Sequence, residues 1–190
     1  MTDIFDIAHK ALGYTEKAGA DEAEIYCIKG RSISIDLQKD AIDLAKENLV
    51  SGIGIRAIVK GAVEFSSTND PSRLKEACIL AVKSARVRKG DPEWTGLPEK
   101  KERPSVRDIY DRRLIDIDIS SCIEYTSMMI DGVKSVSSVS PTSGNFLCMN
   151  STTLILNTSG VEINDKDTFI NASIDTSAKG ADVSTASEFD

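Results

Sequence analysis

The sequence predicts an α+β fold: an antiparallel sheet with flanking helices, followed by a second module of one helix and an antiparallel meander. Three observations carry this. First, Ile53, Ile55, Ala57 and Val59 alternate with Gly54, Arg56 and Ile58, the two-residue period of a strand whose faces differ. A second run, Ala62–Ser67, follows after Lys60-Gly61, and Gly61 supplies the tolerance of positive φ that a tight hairpin needs. Second, apolar residues recur at three- and four-residue spacings on both sides of this strand-rich stretch. Third, a helical stripe followed by strand-like runs reappears beyond a proline-rich segment.

The first helix spans about Asp3 to Ala18, with Ile4, Phe5, Ala8, Ala11, Leu12 and Thr15 on one stripe and Gly19 as its left-handed cap. A strand over Glu22–Lys29 follows, then a turn at Gly30-Arg31. Ser32–Gln38 reads as a half-buried strand, with Ile33, Ile35 and Leu37 inward. After a Lys39-Asp40 turn, Ile42–Val50 is assigned as an irregular strand leading into the hairpin. Asp70-Pro71 is a helix start, and Leu74, Ala77, Cys78, Ala81, Val82 and Ala85 continue the helix to Val87. Residues 1–90 form the first expected domain.

Residues 91–110 are the expected linker. The surrounding stretch Lys89–Val106 is rich in proline, glycine and mixed charge, with Trp94 and Leu97 as its anchors onto a neighbouring surface. The second domain, 111–190, opens with a helix carrying Ile119, Cys122, Ile123, Thr126, Met129, Ile130 and Val133. Strands are expected over Gly144–Asn150, Thr152–Asn157, Val161–Ile174 and Ala181–Phe189, with a turn at Asn157-Thr-Ser-Gly160. The strand pattern runs up to Asp190, so this domain is expected to be cut short at its C-terminal end.

With 190 residues and 41% hydrophobic content the chain can build a sizeable core. A formal charge of −7 argues against nucleic acid as a partner, because binding phosphate calls for a basic face. The basic cluster Arg86-Val87-Arg88-Lys89 ends a helix, where cations suit the macrodipole. There is no charged-then-apolar leader and no apolar run near the roughly 20 residues that span a bilayer, so a cytoplasmic location without membrane contact is expected. Cys27, Cys78, Cys122 and Cys148 form no C-x-x-C pair and read as reduced, buried thiols.

Catalytic chemistry finds little support. One histidine, His9, leaves no two-histidine zinc site within one copy of the chain. Asp6 lies one turn before it, but an exposed helical histidine is the simpler reading than a triad. No cysteine stands out as a nucleophile. Gly52-Ile-Gly54 invites a dinucleotide fingerprint, yet Ala57 holds the third glycine position and a strand follows where a helix is required. Gly52, Gly54, Gly61 and Gly160 are therefore assigned structural or turn roles. Arg56, between apolar neighbours, either pairs with a carboxylate of the same chain or reaches a bound peptide; the internal pair is favoured.

The stretch Gly19–Glu24 (GADEAE), the strand Gly52–Arg56 (GIGIR), the glycine hairpin leading to Phe65–Thr68 (FSST) and the following helix resemble the first domain of the TldD/PmbA family, also called modulators of DNA gyrase. Ile109-Tyr110-Asp111, the long helix and the Asn157–Gly160 turn resemble that family's middle domain. Asp91–Pro98 (DPEWTGLP) is similar to the PmbA side. The resemblance implies a metalloprotease assembly that cuts peptides and unfolded proteins. In it, TldD-type subunits hold zinc through an H-E-x-x-x-H helix and a later cysteine, and PmbA-type subunits act as partners. No residue here matches those ligands, so no cofactor is expected in this chain and zinc only in a TldD-type partner.

The expected role is thus a non-catalytic N-terminal region that shapes a peptide channel and a subunit interface. The implied partners are a TldD-type subunit or a second copy, with a peptide or unfolded protein as substrate. The alternative is a protein-binding module, acting on a DNA topoisomerase, with no tie to proteolysis. A cysteine-dependent enzyme is a third class, and it would require one thiol far more reactive than the rest.

Overall fold

The structure is a computed structural model, and it describes residues 4–102, 104, 106–180 and 183–189, the last stretch by its backbone alone. The elements are α1 (Ile4–Lys17), β1 (Glu22–Gln38), β2 (Ala41–Val59), β3 (Ala62–Thr68), α2 (Leu74–Val87), α3 (Ile119–Lys134), β4 (Val139–Asn157), β5 (Glu162–Lys179) and β6 (Val183–Phe189). The expected helix start at Asp3 and strand start at Ala181 lie outside the described residues. The strands form one sheet in the order β3-β2-β1-β4-β5-β6. This is an α+β fold with an antiparallel sheet, as the sequence predicts.

The strands are longer than the sequence reading allows. Gly30-Arg31 is not a turn: β1 runs straight through it, and Arg31 is held by its Nε donating to Glu47 Oε1 (2.7 Å) and Nη1 to the carbonyl of Ile117 (2.6 Å). The segment assigned as an irregular strand over Ile42–Val50 is the first half of β2. Gly144–Asn150 and Thr152–Asn157 are likewise one strand, β4. Turn residues inside a strand are overridden once neighbouring strands satisfy the backbone on both sides.

Two compact units emerge, each assembled from separate pieces: residues 1–29, 50–106 and 151–166 in the first, and 30–49, 107–150 and 167–190 in the second. They are not the sequential pieces 1–90 and 111–190. The physical reason is the length of β1, β2, β4 and β5, each of which contributes residues to both units.

In the first unit, Ile25, Cys27, Ile53, Ile55, Leu154 and Leu156 face α1 and α2, which contribute Ala8, Ala11, Ala77, Cys78 and Ala81. Small helix residues let the helices lie close to the sheet. Asp70 closes the entry to α2: its Oδ1 accepts from the Ser72 N–H (2.9 Å), and Pro71–Arg73 form a 3-10 turn before the helix. Lys60 and Gly61 both take positive φ (50° and 75°), a tight turn of the kind suited to the strand twist. The predicted anchors of the 91–110 segment are real. Glu22 accepts from the Trp94 indole N–H and the Leu97 backbone N–H, both at 2.7 Å, and Leu97 is buried. At the β4–β5 turn, Asn157 Oδ1 accepts from the N–H groups of Ser159 and Val161, both at 3.0 Å, and Gly160 has φ +86°.

In the second unit, Ile33, Ile35, Cys122, Phe146 and Cys148 make the core, and Ile119, Ile123 and Met129 of α3 pack against it. Asp118 caps α3 by accepting from the Ser121 N–H at 2.7 Å, and this holds its carboxyl below the usual range.

Candidate functional site

The pleat of the first unit's sheet sends residues of one parity toward the helices and the other parity outward. On β1 the outward set is Glu24, Tyr26 and Ile28, and on β2 it is Gly52, Gly54 and Arg56. The β2–β3 register places Phe65 opposite Arg56 and Ser67 opposite Gly54. Two consecutive outward positions on β2 therefore have no side chain. A groove opens over them, with Tyr26 on one wall and Phe65 and Ser67 on the other.

The groove is two adjoining depressions that share Tyr26, Gly54 and Ser67. One holds about 370 Å³ and reaches Glu24 and Arg56; the other holds about 480 Å³ and reaches Ile28, Gly52 and Asn69. Tyr26 is 42% exposed and Phe65 is 60% exposed, so the walls are open aromatic surface.

The glycines at its floor owe nothing to backbone strain, since neither is among the glycines with positive φ. Nor is there a steric demand. A Cβ on Gly54 would meet Tyr26 Cβ and O at 3.8 Å, and one on Gly52 would meet Ile28 Cγ2 at 4.0 Å, ordinary contact distances. Tight strand packing therefore does not account for them. Gly61 is different: its φ is +75° and an added Cβ would lie 2.9 Å from the Asp91 carbonyl oxygen.

Arg56 closes one end of the groove. Its Nη1 lies 2.9 Å from Glu24 Oε1, and its guanidinium carbon sits 5.1 Å from the centre of the Phe65 ring, a cation–π arrangement. Its Nε is buried with no hydrogen-bond partner among the described residues. The internal ion pair is thus present, and the 38% exposure of the side chain leaves part of the guanidinium facing the groove as well.

No cysteine or histidine lines the groove. Burial pushes the Cys27 and Cys122 thiols each up to about 11 and raises Cys78 and Cys148 too, so none is primed as a thiolate near neutral pH. His9 is exposed on α1, 3.6 Å from Glu162, and has no place in the groove. Among the described residues no group of three or more His, Cys, Asp or Glu side chains could hold a metal ion. No helix of the described residues is long and apolar enough to cross a membrane. The second unit has a separate recess of about 660 Å³, lined by Tyr125, Met129, Phe146 and Ile170 together with the polar Asp111 and Arg113.

Sequence reasoning found Arg56, Gly52 and Gly54 but not that they share a surface with Tyr26 and Phe65. The signal was the parity of β1 and β3 relative to β2, which needs the register.

By fold and by the lining of its groove, the chain is an α+β sheet protein with a recessed, aromatic-walled surface. Residues 23–85 match the family model described as PmbA/TldA metallopeptidase domain 1. The match runs from β1 through α2 and contains every groove residue named above. The chain is also 25% identical over 165 residues to an uncharacterized protein of Methanocaldococcus jannaschii, covering 87% of this chain and 38% of that one. Its fold is that of TldE from Thermococcus kodakarensis, with a TM-score of 0.86 and 20% identity over 97% of this chain and 42% of that one. A Thermotoga maritima protein described as a modulator of a DNA gyrase gives a TM-score of 0.85 at 14% identity, over 98% of this chain and 42% of that one. At these identities the structural likeness speaks for the fold alone. The chain spans less than half the length of each of these proteins.

Proposed function

We propose that the chain is the N-terminal region of a subunit of a TldD/PmbA-type metalloprotease system, itself non-catalytic, and that its groove helps shape the peptide channel and the subunit interface. The observation that carries this is the bare floor of the groove. Glycine within a strand costs about 0.5–1 kcal/mol relative to alanine, and here neither φ nor sterics requires it. Glycine at such positions fits a surface that another backbone approaches closely. Aromatic walls and a partly exposed guanidinium suit an extended polypeptide laid along β2, with side chains against Tyr26 and Phe65. The lack of a primed thiol speaks against a cysteine-dependent enzyme.

The test is co-purification. The chain is expected to recover a TldD-type subunit, and Gly54→Val, which fills the floor, is expected to weaken that recovery or the binding of unfolded polypeptide. By itself the chain should carry no zinc and cleave no peptide; zinc at one equivalent per chain would sink the proposal. The description of the Thermotoga maritima protein as a gyrase modulator keeps a second reading in play, a protein-binding module unconnected with proteolysis. Recovery of a topoisomerase subunit without any TldD-type subunit would establish it.

A further inference from the structure

On the helix-covered face of the first unit's sheet, the lining changes character from one row of residues to the next. Cys27 and Ile53 end the apolar row beneath the helices. The next row across β2, β1, β4 and β5 is Ser51, Lys29, Thr152 and Lys166, with Asn164 beside Leu154 in the row before it. A cleft of about 580 Å³ opens over this row, within the range of small-ligand sites. Its apolar wall is Ile4, Phe5 and Ile7 from the first turns of α1, all half-buried.

The charge in this cleft is one-sided. Lys29 and Lys166 line it, no Asp or Glu does, and Asn69 and Asn164 add amide groups. Among the described residues neither lysine has an ion-pair partner. In a chain whose formal charge is −7, two lysines without acidic partners beside an apolar wall form a site complementary to an anion on an apolar body. A bare inorganic anion would leave the Ile4, Phe5 and Ile7 wall unused, and an uncharged apolar ligand would leave both lysines unused.

We propose that this cleft binds the free carboxyl terminus of a polypeptide ending in an apolar residue, the lysines facing the carboxylate and the α1 wall the last side chain. The proposal rests on the peptide-handling reading above for the source of the carboxylate, not for the chemistry of the cleft. Its volume exceeds that of one residue, so the penultimate residue also contributes.

The experiment is fluorescence anisotropy with the 190-residue chain and an N-terminally labelled hexapeptide ending in leucine, as the free acid and as the C-terminal amide. The acid is expected to bind about tenfold or more tightly than the amide, the scale of one charge-assisted contact. Lys29→Met and Lys166→Met should each weaken the acid several-fold and leave the amide unchanged, and the double variant should remove the preference. Both lysines are exposed, and thermal unfolding of each variant checks that the fold is kept. N-acetyl-leucine should compete only at about tenfold higher concentration than the unlabelled peptide. Equal binding of acid and amide, or a double variant that keeps the preference, overturns the site. Parity of N-acetyl-leucine with the peptide overturns the polypeptide as its ligand. A chain that recovers no TldD-type subunit yet prefers acid to amide keeps the cleft and loses the functional reading; the reverse pattern keeps that reading and loses the cleft.

Discussion

Replacing Gly54 by alanine should make the protein more stable. At most strand positions within a folded sheet a substitution costs free energy, so the sign itself is the test. The φ of Gly54 is not in the left-handed region, and the new methyl would rest 3.8 Å from Tyr26, so alanine adopts the native backbone without strain. The gain comes chiefly from the unfolded chain, which loses conformational freedom, and amounts to about 0.4–1 kcal/mol. For a protein of this size that raises the melting temperature by about 1–4 °C. Gly90→Ala is the counterpart: its Cβ would lie 2.1 Å from the Lys60 carbonyl oxygen, a backbone clash, and a loss of about 1–3 kcal/mol is expected. Thermal unfolding by circular dichroism at matched concentration reads both. If Gly54→Ala lowers the melting temperature as Gly90→Ala does, the fold itself demands the glycine. The inference that the groove floor is bare for a ligand then fails.

Glu22→Gln should release the 91–102 segment, because one carboxylate holds both the Trp94 indole and the Leu97 N–H. Trp94 is the sole tryptophan, so a red shift of its emission and faster cleavage by trypsin after Lys100 or Lys101 report the release, and unchanged emission would refute it. A double-mutant cycle on Glu24→Gln and Arg56→Met is expected to give a coupling of about 1 kcal/mol, well below that of a buried pair, because the guanidinium is partly exposed. The carboxyls of Asp70, Asp111 and Asp118 are all held below the usual range by hydrogen bonds from Ser72, Arg113 and Ser121. Groups with depressed folded pKa values contribute stability above their unfolded pKa, near 4. That contribution is lost as pH falls through the lower folded values. The melting temperature should accordingly hold above pH 5 and fall below pH 4, and Asp118→Asn should flatten part of that fall. Under native conditions all four thiols should label slowly and together; one that reacts first would revive the thiol-enzyme class.

The helices and the hairpin were legible because each is decided locally. The stripe through Leu74, Ala77, Cys78, Ala81 and Ala85 and the Asp70-Pro71 start need no distant partner, and Lys60-Gly61 fixes its own turn. The long strands were not legible, because Gly30-Arg31 and Ser51-Gly52 carry turn composition. The backbone there stays extended only because neighbouring strands hold it, a fact absent from any local window. The same limit applied to the candidate sites. Arg56 stood out as a charge among apolar neighbours, and its Glu24 partner sits on the adjacent strand, where only the register reveals it. Lys29 and Lys166 carry no local signal and lie far apart in the sequence, and only the strand order brings them to one cleft.

The chain passes between its two compact units after residues 29, 49, 106, 150 and 166. During synthesis the first unit cannot be completed until residue 166 has left the ribosome, although two-thirds of it has been made by residue 87. Until then its sheet lacks Leu154 and Leu156, and the apolar undersides of α1 and α2 wait with an unfinished partner. A folding delay of this kind favours chaperone capture of the nascent chain. It also means that no single cut, whether by a protease or by a gene rearrangement, can inherit one unit without the other.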